Sequence, residues 1–207
     1  MGRILRVTAS PLPYPLTLTG PGIVLREWGA DDLDDLVALL DEPDIARWTP
    51  MPSPFDAEAG VAYLRRARQG RVNGSRIQLA ITEEGGHPLG EVSLFGVTTD
   101  LTAEIGYLVG RPHRRRGLAA AALSTLAGYA REALGLRRLL LRIDPDNTAS
   151  TSVARRCGFW LSGDPPIHQE GPYGSTRLDT WEFVAGQVGA RREYRQNVAS
   201  RRYRRRT

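Results

Sequence analysis

The strongest constraint on how this chain can fold is one change of hydrophobic period. Ala103-Glu-Ile-Gly-Tyr-Leu-Val109 reads as a strand, and after a short Arg/Gly break the chain enters a helix from about Gly117 to Leu134. That helix sets Leu118, Ala122, Leu126, Tyr129, Ala130 and Ala133 on one face, with Gly135 as its stop. A buried-type strand, Arg138 to Ile143, and a shorter helix ending at Cys157-Gly158 follow. A β-α-β-α run of this kind calls for parallel strands joined by a crossover helix that covers one face of a sheet.

The rest of the chain supplies antiparallel partners. Residues 1–21 carry four of the 14 prolines and read as an extended lead-in. Ile23 to Trp28 is a first strand, and Asp31 to Leu40 is a helix with Leu33, Leu36, Val37 and Leu40 inward. A Pro-rich break from Pro43 to Pro54 precedes a second helix, opened by Asp56 and running to about Arg68. Arg76 to Ile81 and Pro88 to Phe95 form a hairpin through Glu83 to His87, and Phe159 to Leu161 and Asp179 to Val184 are the last strands. The order β, α, α, β, β, β, α, β, α, β, β predicts an α+β (α/β mixed) fold: a mixed sheet with helices on both faces and a ligand crevice where neighbouring parallel strands diverge.

Charge and cysteine usage narrow the function classes. All 28 basic residues are Arg, and the formal charge is +5. From Gly189 to Thr207 there are 8 Arg and 1 Glu, a net +7, which leaves −2 for residues 1–188. The basic character therefore belongs to a tail, expected to be disordered, that could hold a weak nucleic-acid or acidic partner. Three segments follow: the lead-in at 1–21, a folded domain at 22–188, and the tail at 189–207. No run of 18 apolar residues and no long h-region at the N-terminus are present, so no membrane is expected and the location is expected to be cytoplasmic. Cys157, the single cysteine, reads as a small core residue. His87, His113 and His168 have no partner at ligand spacing, so no metal site is expected.

The break before the long helix is Arg114-Arg-Arg-Gly-Leu-Ala119. It resembles the Arg/Gln-x-x-Gly-x-Gly/Ala phosphate loop of the GNAT acetyltransferase superfamily, in which backbone amides at a helix N-terminus face a pyrophosphate. So short a pattern discriminates little by itself. Its place between strand and long helix, followed by a strand, by Asn147-Thr-Ala-Ser150 and by Gly158-Phe159, makes the resemblance strong. With Gly22 to Trp28, Leu89-Gly-Glu-Val92 and Glu104-Ile-Gly-Tyr107, the chain is similar to the RimJ/RimL branch over roughly Gly22 to Trp160.

The resemblance implies a GNAT fold with a mostly antiparallel central sheet, whose splayed parallel strands bind acetyl-CoA as co-substrate. It also implies transfer of acetyl to a primary amine by direct attack in a ternary complex. Tyr107, Leu108 and Val109 would lend backbone groups to the pantetheine and the thioester carbonyl. Arg114, Arg115, Arg116, Gly117, Leu118 and Ala119 would hold the pyrophosphate. A solvated charge run is the plainer reading of the three Arg side chains. Glu104 is the candidate general base, against a salt bridge, with Glu91 a weaker substitute. Asn147 would contact CoA and Ser150 would lie near the departing sulfur as a possible proton donor; helix capping explains the same two residues.

Two positions depart from the RimI-like relatives: where those carry a Tyr acid and a Glu, this chain has Ala154 and Arg142. The acceptor stays open between a peptide N-terminus, favoured by the resemblance, and a small amine such as an amino acid, a polyamine or an antibiotic-like metabolite. Trp48, Tyr173 and Trp160 are candidate aromatic walls. A non-catalytic acyl-CoA-binding module tethered by its tail is the remaining alternative, and a monomer and a homodimer are both compatible with the sequence.

Overall fold

Short β-branched and Leu-rich runs bounded by Gly, Pro and Asp set the strands, and a computed structural model describes residues 14–185 of the result. Most of the lead-in and the Arg-rich tail lie outside the described residues. The strands are β1 (Thr17–Gly20), β2 (Ile23–Glu27), β3 (Arg76–Thr82), β4 (Pro88–Phe95), β5 (Thr102–Val109), β6 (Arg138–Ile143), β7 (Trp160–Leu161), β8 (Ile167–Gly171) and β9 (Gly174–Val184). The helices are α1 (Leu33–Leu40), α2 (Pro43–Trp48), α3 (Ala57–Val72), α4 (Leu118–Glu132) and α5 (Thr148–Arg156). The sheet runs β1-β2-β3-β4-β5-β6-β9-β7, with β8 on β9.

Every neighbouring pair is antiparallel except β5 and β6. That parallel pair is short, with Thr102 facing Arg138, Ala103 facing Leu139 and Glu104 facing Leu140. Beyond Glu104 the strands part, β5 running on to Val109 and β6 to Ile143. The crevice expected at diverging parallel strands is this split, and the fold is the expected α+β arrangement of a mostly antiparallel sheet flanked by helices.

Strand alternation assigns the two faces. On one, Ala103 and Ile105 of β5 join Leu79 and Ile81 of β3 beneath Leu118, Ala122, Leu123 and Leu126 of α4. On the other, Leu36, Leu40, Ile45 and Tyr63 from α1, α2 and α3, with Phe55 of the loop before α3, close around Trp28 and Leu108. Each fully buried Leu side chain contributes about 1.5–3 kcal/mol, so both faces hold the split rigidly from β5.

The structure extends the sequence reading in four places. Thr17–Gly20 of the extended lead-in is an edge strand paired with β2, so the sheet begins before Gly22. The Pro-rich break contains α2, since Pro43 occupies the first helical turn, where its missing N–H is no loss. Helix α3 continues past Arg68 to Val72. The segment around His168, given no strand from the sequence, pairs with β9 as a hairpin, Ile167 facing Leu178 and Gly171 facing Gly174. Among the described residues no helix is long and apolar enough to cross a membrane.

Candidate active site

The loop between β5 and α4 is held open at a helix N-terminus. Arg115 has φ +66° and Gly117 φ +82°, two left-handed residues that turn the chain into α4. Glycine takes this conformation without strain, and a Cβ on Gly117 would meet nothing within 4 Å, so the turn faces open space. The first α4 amide bonded back into the turn is Ala121 N–H, to Gly117 O at 3.0 Å. The amides of Leu118, Ala119 and Ala120 precede it, where a helix leaves N–H groups without internal partners and the dipole is positive.

The three arginines do different things. Arg114 is turned inward: Nε donates to Val109 O at 3.0 Å, Nη1 to Asp44 Oδ2 at 2.7 Å and Nη2 to Glu42 Oε2 at 3.0 Å. Its hydrogen bond holds the Asp44 carboxyl below the ordinary carboxylate range. Glu42 also accepts Arg111 N–H at 2.9 Å, so the acids at the start of α2 hold the loop that follows β5. Arg116 pairs with Glu83. Arg115 is exposed and has no carboxylate partner among the described residues. Beside the loop, a groove of about 530 Å³ is lined by Gly22, Glu83, Arg116, Gly117, Ser124 and Cys157.

Backbone register decides which β5 groups enter the split. Gly90 faces Val109 and Gly110 N–H donates to Leu89 O, so Leu108 exchanges its backbone hydrogen bonds with β4. Tyr107 and Val109 present theirs toward β6. Of the three residues expected to lend backbone groups, Leu108 therefore does not face the split; its side chain packs against the α1–α3 cluster instead. No bulge interrupts the β4–β5 register, so this alternation holds along β5.

Across the split, Tyr107 Oη lies 2.9 Å from Ser150 Oγ and 3.0 Å from Ser150 O. Burial pushes the Tyr107 hydroxyl up to about 12. Asn147 caps α5, its Oδ1 accepting Ser150 N–H at 3.0 Å, which brings both residues to the end of β6. Cys157 is half-buried against the main core, with Sγ 3.5 Å from Ala120 O and 3.4 Å from Ser124 Oγ. Burial raises its thiol pKa, which disfavours a thiolate nucleophile.

On the opposite face, Glu104 Oε1 accepts Arg142 Nε at 3.1 Å and Nη2 at 3.0 Å. Arg142 Nη1 also donates to Thr180 Oγ1. Their side chains keep 28% and 21% of their exposure, so the carboxylate is reachable from solvent. Glu91 is not: it is 5% exposed and accepts Tyr63 Oη at 2.7 Å and Trp28 Nε1 at 3.0 Å. Burial raises its pKa, and these donors oppose the rise. The tip of the β8–β9 hairpin lies against the end of α2, where a Cβ on Gly171 would stand 3.8 Å from Thr49 O. Trp48 and Tyr173 lie at these two segments, while Trp160 is tied to Glu182 at 3.2 Å. Sequence reasoning missed Glu42 and Asp44, which anchor the loop from a segment read as a break, and the pairing of Arg142 with Glu104.

Comparison with known proteins decides the family. The family described as acetyltransferase (GNAT) domain matches residues 23–160. The chain belongs to the GNAT acetyltransferases. Its domain is thus that of an acyltransferase enzyme, and the phosphate-type loop and split described above occupy the matched region. The N-acetyltransferase p20 of Bacillus licheniformis is 26% identical over 152 residues, covering 71% of this chain and 84% of that protein. The ribosomal-protein-serine acetyltransferase of Escherichia coli (strain K12) is 39% identical over 62 residues, 30% of this chain and 35% of that protein. The structure of Mycobacterium smegmatis RimJ in complex with CoA-disulfide superposes with a TM-score of 0.71 at 21% identity, covering 85% of this chain and 90% of that one. This GNAT chain therefore shares its fold with RimJ/RimL-like proteins.

Proposed function

We propose that this GNAT domain takes acetyl-CoA as co-substrate and moves its acetyl group to the N-terminal α-amine of a protein or peptide by direct attack. One observation carries the reading: a single split between β5 and β6 has helix amides at one end, the backbone N–H groups of Tyr107 and Val109 facing it and a solvent-reachable carboxylate on its far face. The partial match to a ribosomal-protein-serine acetyltransferase supports the choice of acceptor.

The residues present fit the co-substrate. The open side of Gly117, the α4 amides and the exposed Arg115 would hold the pyrophosphate, Arg116 would bind a phosphate in exchange for Glu83, and Arg114 would keep the loop in shape. Acetyl-CoA supplies an activated acyl carbon on a thiol leaving group. The backbone amides of Tyr107 and Val109 are the donors available to its carbonyl oxygen, where charge grows during attack. An attacking amine must shed a proton, and Glu104, directly or through water, would accept it. Asn147 holds Ser150 beside the split.

The test is release of CoA thiol from acetyl-CoA with a panel of amines: short peptides starting with Ser, Ala, Thr or Met, the same peptides blocked at the N-terminus, free amino acids and spermidine. Turnover on the unblocked peptides alone is expected. Turnover confined to spermidine or amino acids replaces the acceptor, and tight acetyl-CoA binding with no turnover on any amine supports the non-catalytic alternative.

A further inference from the structure

A hydroxyl pair crosses the split between Tyr107 and Ser150. Tyr107 stands on the unpaired half of β5, and Ser150 on the first turn of α5, just past the end of β6. Their contact therefore runs from one arm of the split to the other, at 2.9 Å between Oη and Oγ. Anything threaded between the arms passes these two oxygens.

Proton counting shows what the pair can do. Tyr107 Oη has one hydrogen and two neighbours on Ser150, the carbonyl at 3.0 Å and Oγ at 2.9 Å. With Oη–H donated to the carbonyl, the Ser150 proton turns back toward Oη and is unavailable. With Oη–H donated to Oγ, the Ser150 proton is free to point into the split. Negative charge growing beside Oγ selects the second arrangement, because a donor chain ending on an anion is the stronger one. Two neighbouring positions offer no competing donor: position 154, one turn along α5, is a buried Ala, and the Cys157 thiol is directed to α4.

We propose that Tyr107 is a positioning residue for the leaving-group step: by donating to Ser150 Oγ it aims the single Ser150 hydroxyl proton at the sulfur that departs from the acetyl carbon. The inference rests on the acetyl-transfer reading above. In the step, the acceptor nitrogen's lone pair forms the C–N bond, the C–S bond breaks and its pair goes to sulfur. Ser150 Oγ passes its proton to that sulfur and takes the Tyr107 proton in turn. The proton shed by the nitrogen leaves through Glu104 to solvent, and solvent restores the one Tyr107 gave, so the sum is amine plus thioester giving amide plus thiol. With its pKa at about 12, the buried tyrosine enters each turnover protonated throughout the neutral range and regains from solvent the proton it gives.

The experiment compares the affinity of CoA with that of desulfo-CoA by titration calorimetry from about pH 6 to pH 10, across the ordinary thiol range. In the wild-type protein the ratio is expected to rise about tenfold with pH, because a donor aimed at sulfur favours the thiolate and one pKa unit corresponds to tenfold. Tyr107→Phe keeps the ring and should leave the ratio flat; Ser150→Ala should do the same, and Ser150→Thr should restore the rise. A ratio that climbs in Tyr107→Phe as in the wild type overturns the proposal, as does a flat ratio in the wild type. Should Tyr107→Phe fail to fold, the Ser150→Ala and Ser150→Thr pair decides, since Asn147 still caps the helix in both.

With a peptide acceptor, Tyr107→Phe and Ser150→Ala are each expected to lower kcat about 100-fold, with KM for acetyl-CoA changed less than about twofold. The double variant should be no worse than the poorer single one, as for residues acting as a unit. Unchanged kcat in Tyr107→Phe contradicts the assignment. If the wild-type protein acetylates no amine, the acetyl-transfer reading fails by itself, and the affinity ratio still reports whether the pair addresses sulfur.

Discussion

Arg142 grips Glu104 through two nitrogens on one oxygen, Nε at 3.1 Å and Nη2 at 3.0 Å from Oε1, which leaves Oε2 without a hydrogen-bond partner among the described residues. The pair fixes where the carboxylate stands while keeping one oxygen open to a proton. A partly exposed ion pair of this kind contributes no more than about 1 kcal/mol to stability. Glu104→Gln should therefore leave denaturant unfolding within about 1 kcal/mol of wild type while lowering kcat about 100-fold or more with a peptide acceptor. Unaltered kcat would mean that the pair is structural only.

The loop arginines should separate by assay. Arg114→Ala loses the contacts to Val109 O, Glu42 and Asp44, two of them to carboxylates, so it should lower stability by about 1–3 kcal/mol and weaken acetyl-CoA binding indirectly. Arg115→Ala removes no such contact and should unfold like the wild type. Its acetyl-CoA affinity should fall severalfold, most at low salt, as a screened phosphate contact would. Thermal unfolding beside calorimetric titration at two salt concentrations separates the two effects.

Gly117 makes a prediction with the two effects reversed in size. Alanine there keeps φ at +82° at a cost of about 1–2 kcal/mol, without a steric clash. That amounts to a fall in Tm of a few degrees in a chain of this length. The added methyl would occupy the open side where a pyrophosphate is proposed, so acetyl-CoA affinity should fall more than tenfold. Equal affinity in the variant would remove the loop from the binding site.

The buried carboxylate on the α1–α3 side has its own pH signature. Burial raises the Glu91 pKa, so the folded protein holds this proton more tightly than the unfolded chain. Such a group contributes stability below the ordinary Glu range, near pH 4, and that contribution is lost as pH rises through the raised folded value. The stability of wild type relative to Glu91→Gln should accordingly be greatest near pH 4 and shrink toward neutrality. Denaturant midpoints across that range check it. Glu91→Ala, which strands the buried Tyr63 hydroxyl and the Trp28 indole N–H, should follow the same pH trend and cost about 1–3 kcal/mol more than Glu91→Gln at each of these pH values.

The parts of this fold that announce themselves in sequence are those whose signal is local. A period-two run at Arg76–Ile81 and a buried-type apolar run at Arg138–Ile143 place β3 and β6, and the Ala-rich helix, its Gly117 start and its Gly135 stop are found from spacing alone. Helix α2 was hidden because its prolines resemble a break, although Pro43 stands where a helix tolerates it. The β8–β9 hairpin was hidden because Ile167 to Gly171 alternates too weakly, with no buried residue along it to mark a face.

At the site, Asn147, Ser150 and the Arg114–Ala119 loop were legible as a pattern, but their partners were not. Arg114 reads as a phosphate ligand until Glu42 and Asp44 arrive from more than sixty residues away to take its guanidinium. The backbone facing of Leu108 depends on the register with Gly90, which no property of Leu108 reveals. Long-range pairing of charges and register between strands are tertiary facts, and they decided which of the expected residues face the split.

The most direct test of the central claim is mass spectrometry of a single turnover with isotopically labelled acetyl-CoA and an unblocked peptide. The account predicts label on the peptide α-nitrogen and none on the protein, Cys157 included. Label that appears first on the protein and then passes to the peptide, or acetyl-CoA bound tightly with no amine labelled, would contradict direct transfer across the β5–β6 split.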